Sequence, residues 1–305
     1  MKDLKKYHGI IPAFYACYDE KGNVSPQRVK ELTHYFIDKG VKGLYVNGSS
    51  GECIYQSVED RKLILENVMS VAKGKLTIIA HVACNNTKDS EVLAKHAESL
   101  GVDAIAAIPP IYFRLPEYAI SDYWNTISAS APNTDFIIYN IPQLAGVSLT
   151  PSLYQEMIKN PRVIGVKNSS MPVQDIQTFM SISGEDYLVF NGPDEQFLAG
   201  RLMGAKGGIG GTYGAMSELF LRLNQLIEEK DLDKAKKLQY AINDIIGKLV
   251  SGHGHMYAMI KEVIRLNEGI DLGSVRPPLT GLIDADKEIA KEVASLIKET
   301  IKIFS

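Results

Sequence analysis

Three places in the chain combine residue types that can do chemistry. The first is Lys167, which closes the apolar run Val163-Ile164-Gly165-Val166. An amine in apolar surroundings loses the solvation that favours its ammonium form. Its pKa can then fall from ~10.4 toward ~7–8, and the neutral amine attacks a ketone to give an imine. A lysine at a strand end can equally snorkel to water or pair with a carboxylate. The second is Tyr139, the last residue of the preceding run, Phe136–Tyr139. If the two runs are neighbouring strands, its phenol can face the amine and carry protons; otherwise it is a core tyrosine with a satisfied hydroxyl. The third is Gly48-Ser49-Ser50-Gly51-Glu52, between an apolar run and a helical one. Glycines permit a tight turn, and two hydroxyls with N–H groups near a helix start suit a carboxylate. The alternative is helix N-capping by Ser50 or Ser57.

Such residues need a frame that brings strand ends together. Short apolar runs alternate with amphipathic stretches: Gly9–Ala16 then Pro26–Asp38, Gly43–Asn47 then Val58–Ala72, Leu76–His81 then Lys88–Leu100, and Asp103–Ile108 then Glu117–Ala129. The pattern continues with Phe136–Tyr139 then Pro151–Lys159, Val163–Lys167 then Val173–Ser181, Leu188–Asn191 then Glu195–Met203, and Gly207–Gly210 then Ser217–Glu229. Apolar runs bounded by turn signals read as strands buried on both faces, and their alternation with helices implies parallel pairing. Eight such units predict a (β/α)8 TIM barrel. A doubly wound open sheet would carry a phosphate fingerprint after an early strand, and the chain has none. Beyond the barrel, placed at residues 1–230, the segments Asp231–Leu249, Met256–Asn267 and Lys287–Ile303 are helical in period. They predict a C-terminal three-helix extension over residues 231–305. Active sites of such barrels sit at the C-terminal ends of the strands, where the three candidates fall.

Composition narrows the remaining classes. The 33 basic and 36 acidic residues leave a net charge of −3, which gives no electrostatic reason to expect nucleic acid or a membrane surface as a partner. No apolar run approaches the ~18 residues of a membrane span, and the polar start, Met1-Lys2-Asp3-Leu4-Lys5-Lys6, lacks a secretory pattern. Cys17, Cys53 and Cys84 form no CxxC pair and fit a reducing cytoplasm. A catalytic metal would need His and carboxylates clustered at strand ends. His81 is the only strand-end histidine, and His253 and His255 lie in the helical tail, so no metal is expected.

Taken together, GSSGE (Gly48–Glu52), YNIP (Tyr139–Pro142), GVKNSS (Gly165–Ser170), NGPDE (Asn191–Glu195) and GGIGGTYG (Gly207–Gly214) resemble the dihydrodipicolinate synthase / N-acetylneuraminate lyase superfamily. The likeness covers nearly the whole chain. It implies a class I aldolase in which Lys167 forms the imine with pyruvate, Tyr139 shuttles protons, and Ser49 and Ser50 hold the pyruvate carboxylate. It implies no cofactor beyond that covalent imine. Tyr112 matches a tyrosine that reaches into a neighbouring subunit's site, which implies a homo-oligomer, usually a tetramer built as a dimer of dimers. Synthases of the superfamily place an arginine shortly after YNxP, where this chain has Gln143 and Leu144. Lyases carry a GxDE element, here Gly192, Asp194 and Glu195, whose acidic groups accept hydrogen bonds from sugar hydroxyls. Ser169 keeps the hydroxyl that lyases have two residues after the lysine. The resemblance therefore implies the lyase branch and a sialic acid as substrate. Another 2-keto-3-deoxy sugar acid, the synthase reaction, and a non-catalytic keto-acid binder are the other readings. One departure stands out: lyases often place a serine that touches the sugar chain where this sequence has Gly211, with Thr212 beside it.

Overall fold

The computed structural model describes residues 4–305; Met1, Lys2 and Asp3 of the polar start lie outside the described residues. Eight strands alternate with helices: β1 (Gly9–Pro12), α1 (Pro26–Asp38), β2 (Gly43–Val46), α2 (Val58–Ala72), β3 (Thr77–His81), α3 (Thr87–Leu100), β4 (Ala104–Ala107), α4 (Glu117–Ala129) and β5 (Asp135–Asn140). There follow α5 (Pro142–Ala145), α6 (Pro151–Met157), β6 (Val163–Asn168), α7 (Gln174–Ser183), β7 (Leu188–Asn191), α8 (Phe197–Leu202), β8 (Gly207–Gly210) and α9 (Ser217–Glu228). The strands pair in parallel in the order β1-β8-β7-β6-β5-β4-β3-β2. The seam between β1 and β2 closes through a bridge between Ala13 and Tyr45 and through the Lys42 N–H on the Ile10 carbonyl, 2.9 Å away. The result is the expected TIM barrel. Local signals place several helices: Ser25, Ser57, Asn86 and Thr150 each accept a backbone N–H at a helix start.

Three helices complete the chain: α10 (Leu232–Leu249), α11 (Met256–Glu268) and α12 (Asp284–Phe304). The last starts three residues earlier than its apolar period suggests. Asp284 and Asp286 sit in its first turn, where the helix dipole favours negative charge, and Asp286 accepts the Ile283 N–H. The first strand is shorter than the apolar run Gly9–Ala16 suggests. Beyond Phe14 the chain stays buried but leaves the sheet, and the Tyr18 N–H bonds the Leu272 carbonyl of the extension. Among the described residues no helix is long and apolar enough to cross a membrane.

Two apolar cores follow from strand alternation. Ile11, Tyr45, Ile79, Ala106, Ile137, Tyr139, Phe190 and Ile209 fill the barrel, while the residues between them pack outward against the helices. On β6 the alternation breaks. Val163 faces out and Ile164 in, so strict alternation would turn Lys167 outward. The pairing with β5 skips one residue: Phe136 opposes Val163, and Ile137 opposes Gly165. This bulge changes the phase, so Val166 packs outward and Lys167 enters the barrel. Only glycine fits at the switch, because a Cβ on Gly165 would lie 2.0 Å from the Leu188 carbonyl oxygen.

Candidate active site

Lys167 sits opposite Tyr139 in the pairing of β5 and β6 and is 4% exposed. Its Nζ lies 3.8 Å from the centre of the Tyr139 ring and 4.3 Å from that of Tyr45. The two rings meet edge to face, 5.6 Å between centroids, so the amine rests on an aromatic floor. Burial among these groups strips water from the ammonium and lowers the Lys167 pKa to about 7, with the Asp194 charge pulling the other way. The Tyr139 phenol is pushed up to about 12 by burial, against the opposing effect of the Ser49 and Ser169 hydroxyls.

The strand ends around this pair are tied together. Asn140 donates to Asn168 (2.7 Å), Asn168 donates to Ser170 (2.9 Å), and Ser170 donates to Asp175 (2.6 Å). The Ser169 N–H bonds the Asn140 carbonyl at 2.7 Å, which fixes the turn that presents its hydroxyl. Gly192 packs against that turn so closely that a Cβ would lie 2.0 Å from Ser169 Oγ.

The GSSGE segment lies ahead of α2, which starts at Val58 where the apolar period places it. Ser49–Gly51 and Cys53–Tyr55 are two tight turns, and α2 is capped by Ser57 with a reciprocal bond to Asp60. Ser50 is therefore free of capping duty, and the carboxylate site cannot draw on the dipole of α2. Glu52 has a structural role: φ is 56°, its carboxylate pairs with Lys261 at 2.9 Å, and it accepts the Arg276 N–H at 2.8 Å.

A cavity of about 240 Å³ opens over Lys167. Ser49, Ser50, Tyr139, Ser169, Gly192, Asp194, Glu195 and Gly211 all line it. The two acidic residues differ. Glu195 is exposed at the rim. Asp194 is buried, and one carboxylate oxygen accepts both the Thr212 N–H (2.7 Å) and the Thr212 hydroxyl (2.6 Å). The other oxygen has no hydrogen-bond partner among the described residues. Burial raises the Asp194 pKa to about 7, with the Thr212 bonds opposing the rise. Tyr112 is not part of this cavity. It stands 89% exposed on the segment after β4, with φ at 85° and its ring edge-on to Phe113. His81 is engaged on both ring nitrogens, by the Asn47 carbonyl at 3.0 Å and the Ile108 N–H at 3.4 Å, and burial holds it neutral. Sequence reasoning missed Tyr45, Thr212 as the partner of Asp194, and Tyr257, which α11 brings to the cavity wall. Inward alternation on β2 could have found the first; no local signal marks the others.

The fold and this centre define a (β/α)8-barrel enzyme with a buried, readily deprotonated lysine at its mouth. Residues 6–300 match the dihydrodipicolinate synthetase family, and the chain belongs to it. It is 67% identical over 304 residues, covering 100% of this chain and 96% of the other, to an N-acetylneuraminate lyase of Mediterraneibacter gnavus. A solved structure described as a catalytic lysine mutant of Ruminococcus gnavus sialic acid aldolase superposes with a TM-score of 0.99 at 67% identity, covering 100% of both chains. A Fusobacterium nucleatum N-acetylneuraminate lyase complexed with pyruvate gives 0.89 at 32% identity, over 96% of this chain and 97% of that one. The chain is a lyase.

Proposed function

We propose that this lyase reversibly cleaves N-acetylneuraminate to pyruvate and N-acetylmannosamine through an imine on Lys167. One observation carries the reading: the amine is buried on the Tyr45 and Tyr139 rings with its pKa lowered to about 7, so it is neutral often enough to attack a ketone. Ser49 and Ser50 grip the carboxylate of the open-chain sugar acid. Lys167 adds to C2, water leaves, and a protonated imine forms. The C4 hydroxyl gives up its proton toward Tyr139, the C3–C4 bond breaks, and its electrons pass to the iminium nitrogen as an enamine. Because its own pKa is raised, Tyr139 starts as a neutral phenol and works as a relay with the Ser49 hydroxyl. Protonation at C3 and hydrolysis then free pyruvate and regenerate the amine. The iminium is itself the electron sink, so the reaction calls for no separate cofactor.

The sugar chain extends toward the free Asp194 oxygen, Glu195 and the Ser169 hydroxyl. A homotetramer is the working form in this reading, supported by the exposure of Tyr112 and Phe113 beside β4. A cytoplasmic setting agrees with three free cysteines. The test combines pyruvate with borohydride and locates the reduced adduct by peptide mass. An adduct on Lys167, with pyruvate released from N-acetylneuraminate more readily than from 2-keto-3-deoxy sugar acids, supports the reading. No adduct on Lys167 overturns it.

A further inference from the structure

The cavity wall contains a phenol that the mechanism above leaves unused. Tyr257, on α11, lines the cavity, and its hydroxyl meets that of Ser50. Gly211 lies at the same point. A Cβ built there would stand 3.3 Å from Ser50 Oγ and 3.9 Å from Cε1 of Tyr257. A side chain at 211 would therefore press on the Ser50 hydroxyl and lie in ordinary contact with the Tyr257 ring, so glycine leaves both hydroxyls uncrowded.

The phenol is held in place before any ligand arrives. The Tyr257 N–H bonds His255 Nδ1 at 3.2 Å, and the two rings lie 5.0 Å apart. One helical turn further, on the same face of α11, Lys261 donates to Glu52 (2.9 Å) and to the Ser274 carbonyl (2.8 Å). Glu52 closes the segment that carries Ser49 and Ser50. One face of α11 therefore grips this segment twice, through Tyr257 on Ser50 and through Lys261 on Glu52.

Resting on the imine reading above, we propose that Tyr257 binds the substrate carboxylate together with Ser50, donating from the side that Gly211 leaves open. The phenol is buried and stays protonated, as a donor must. The extension then supplies part of the pyruvate end of the site. The requirement is for a carboxylate beside the reacting carbonyl, which pyruvate and the sugar acid share and the amino sugar lacks.

The experiment measures KM for pyruvate and for N-acetylmannosamine in synthesis, and for N-acetylneuraminate in cleavage, in wild type, Tyr257→Phe, Gly211→Ser and the double variant. Loss of one hydrogen bond to a carboxylate predicts KM values for pyruvate and the sugar acid that rise roughly tenfold in Tyr257→Phe, with KM for the amino sugar and kcat little changed. Gly211→Ser leaves Tyr257 in place but crowds Ser50, and raises the same two constants. Because both changes act on Ser50, the loss in the double variant is smaller than the product of the single losses. An unchanged KM for pyruvate in Tyr257→Phe, a rise confined to the amino sugar, or independent effects in the double variant would each overturn the proposal. Borohydride trapping of wild type with pyruvate runs alongside. If wild type forms no adduct on Lys167, the imine reading fails and this proposal falls with it. If wild type is trapped and Tyr257→Phe shows an unaltered pyruvate dependence, only this proposal is overturned.

Discussion

The pH dependence of imine formation tests the centre most directly. Lys167 begins from 10.5 and falls to about 7 through burial, a difference that corresponds to about 5 kcal/mol against the ammonium. At pH 7 roughly half of the amine is neutral, compared with about three in ten thousand for a lysine of ordinary pKa. The sign is fixed by the chemistry: the neutral form attacks, so the rate rises as pH climbs through the folded-state pKa and then levels. The assay mixes the enzyme with pyruvate and cyanoborohydride between pH 5.5 and 9.5 and follows the reduced adduct by intact mass. The expected curve has its midpoint near pH 7, with roughly a tenth of the plateau rate at pH 6 and nine-tenths at pH 8. Asp194→Asn removes a charge that favours the ammonium, so its midpoint moves to lower pH. A rate still climbing above pH 9, or a midpoint that moves upward in Asp194→Asn, would refute the claim that desolvation activates the amine.

Three further outcomes follow from individual contacts. Tyr139→Phe keeps the ring under Lys167 but loses the proton relay; kcat for cleavage falls by roughly 10²–10⁴, while the pyruvate adduct still forms, as stopped-time assays and mass analysis will show. Gly165→Ala drives a methyl into the Leu188 carbonyl, costs about 1–3 kcal/mol or more in urea unfolding, and weakens trapping because the turn that points Lys167 inward is displaced. Lys261→Met leaves the Glu52 carboxylate buried without its cation and destabilises the fold by about 3–5 kcal/mol in the same assay, and a loss under 1 kcal/mol would contradict the assigned anchor.

How much of this could be read beforehand depends on the distance over which each signal acts. The barrel was legible because each βα unit repeats the same local alternation, and the strand ends that carry Ser49, Tyr139, Lys167, Ser169 and Asp194 fall at the close of apolar runs. Those residues do gather around one cavity. Two features depended on partners far along the chain. Counting inward and outward positions from Val163 places Lys167 on the outer face, and only the register of β6 against β5, with Gly165 against the Leu188 carbonyl, reverses that. The GVK order within the run is consistent with either phase until the neighbouring strand is known. Tyr257 is harder still. It lies on a helix whose apolar period explains its packing, 209 residues beyond Gly48, and the same helix carries Lys261 to a carboxylate, Glu52, equally far back in the chain. Periodicity reports which face of an element is buried; it carries no information on which distant hydroxyl that face will meet.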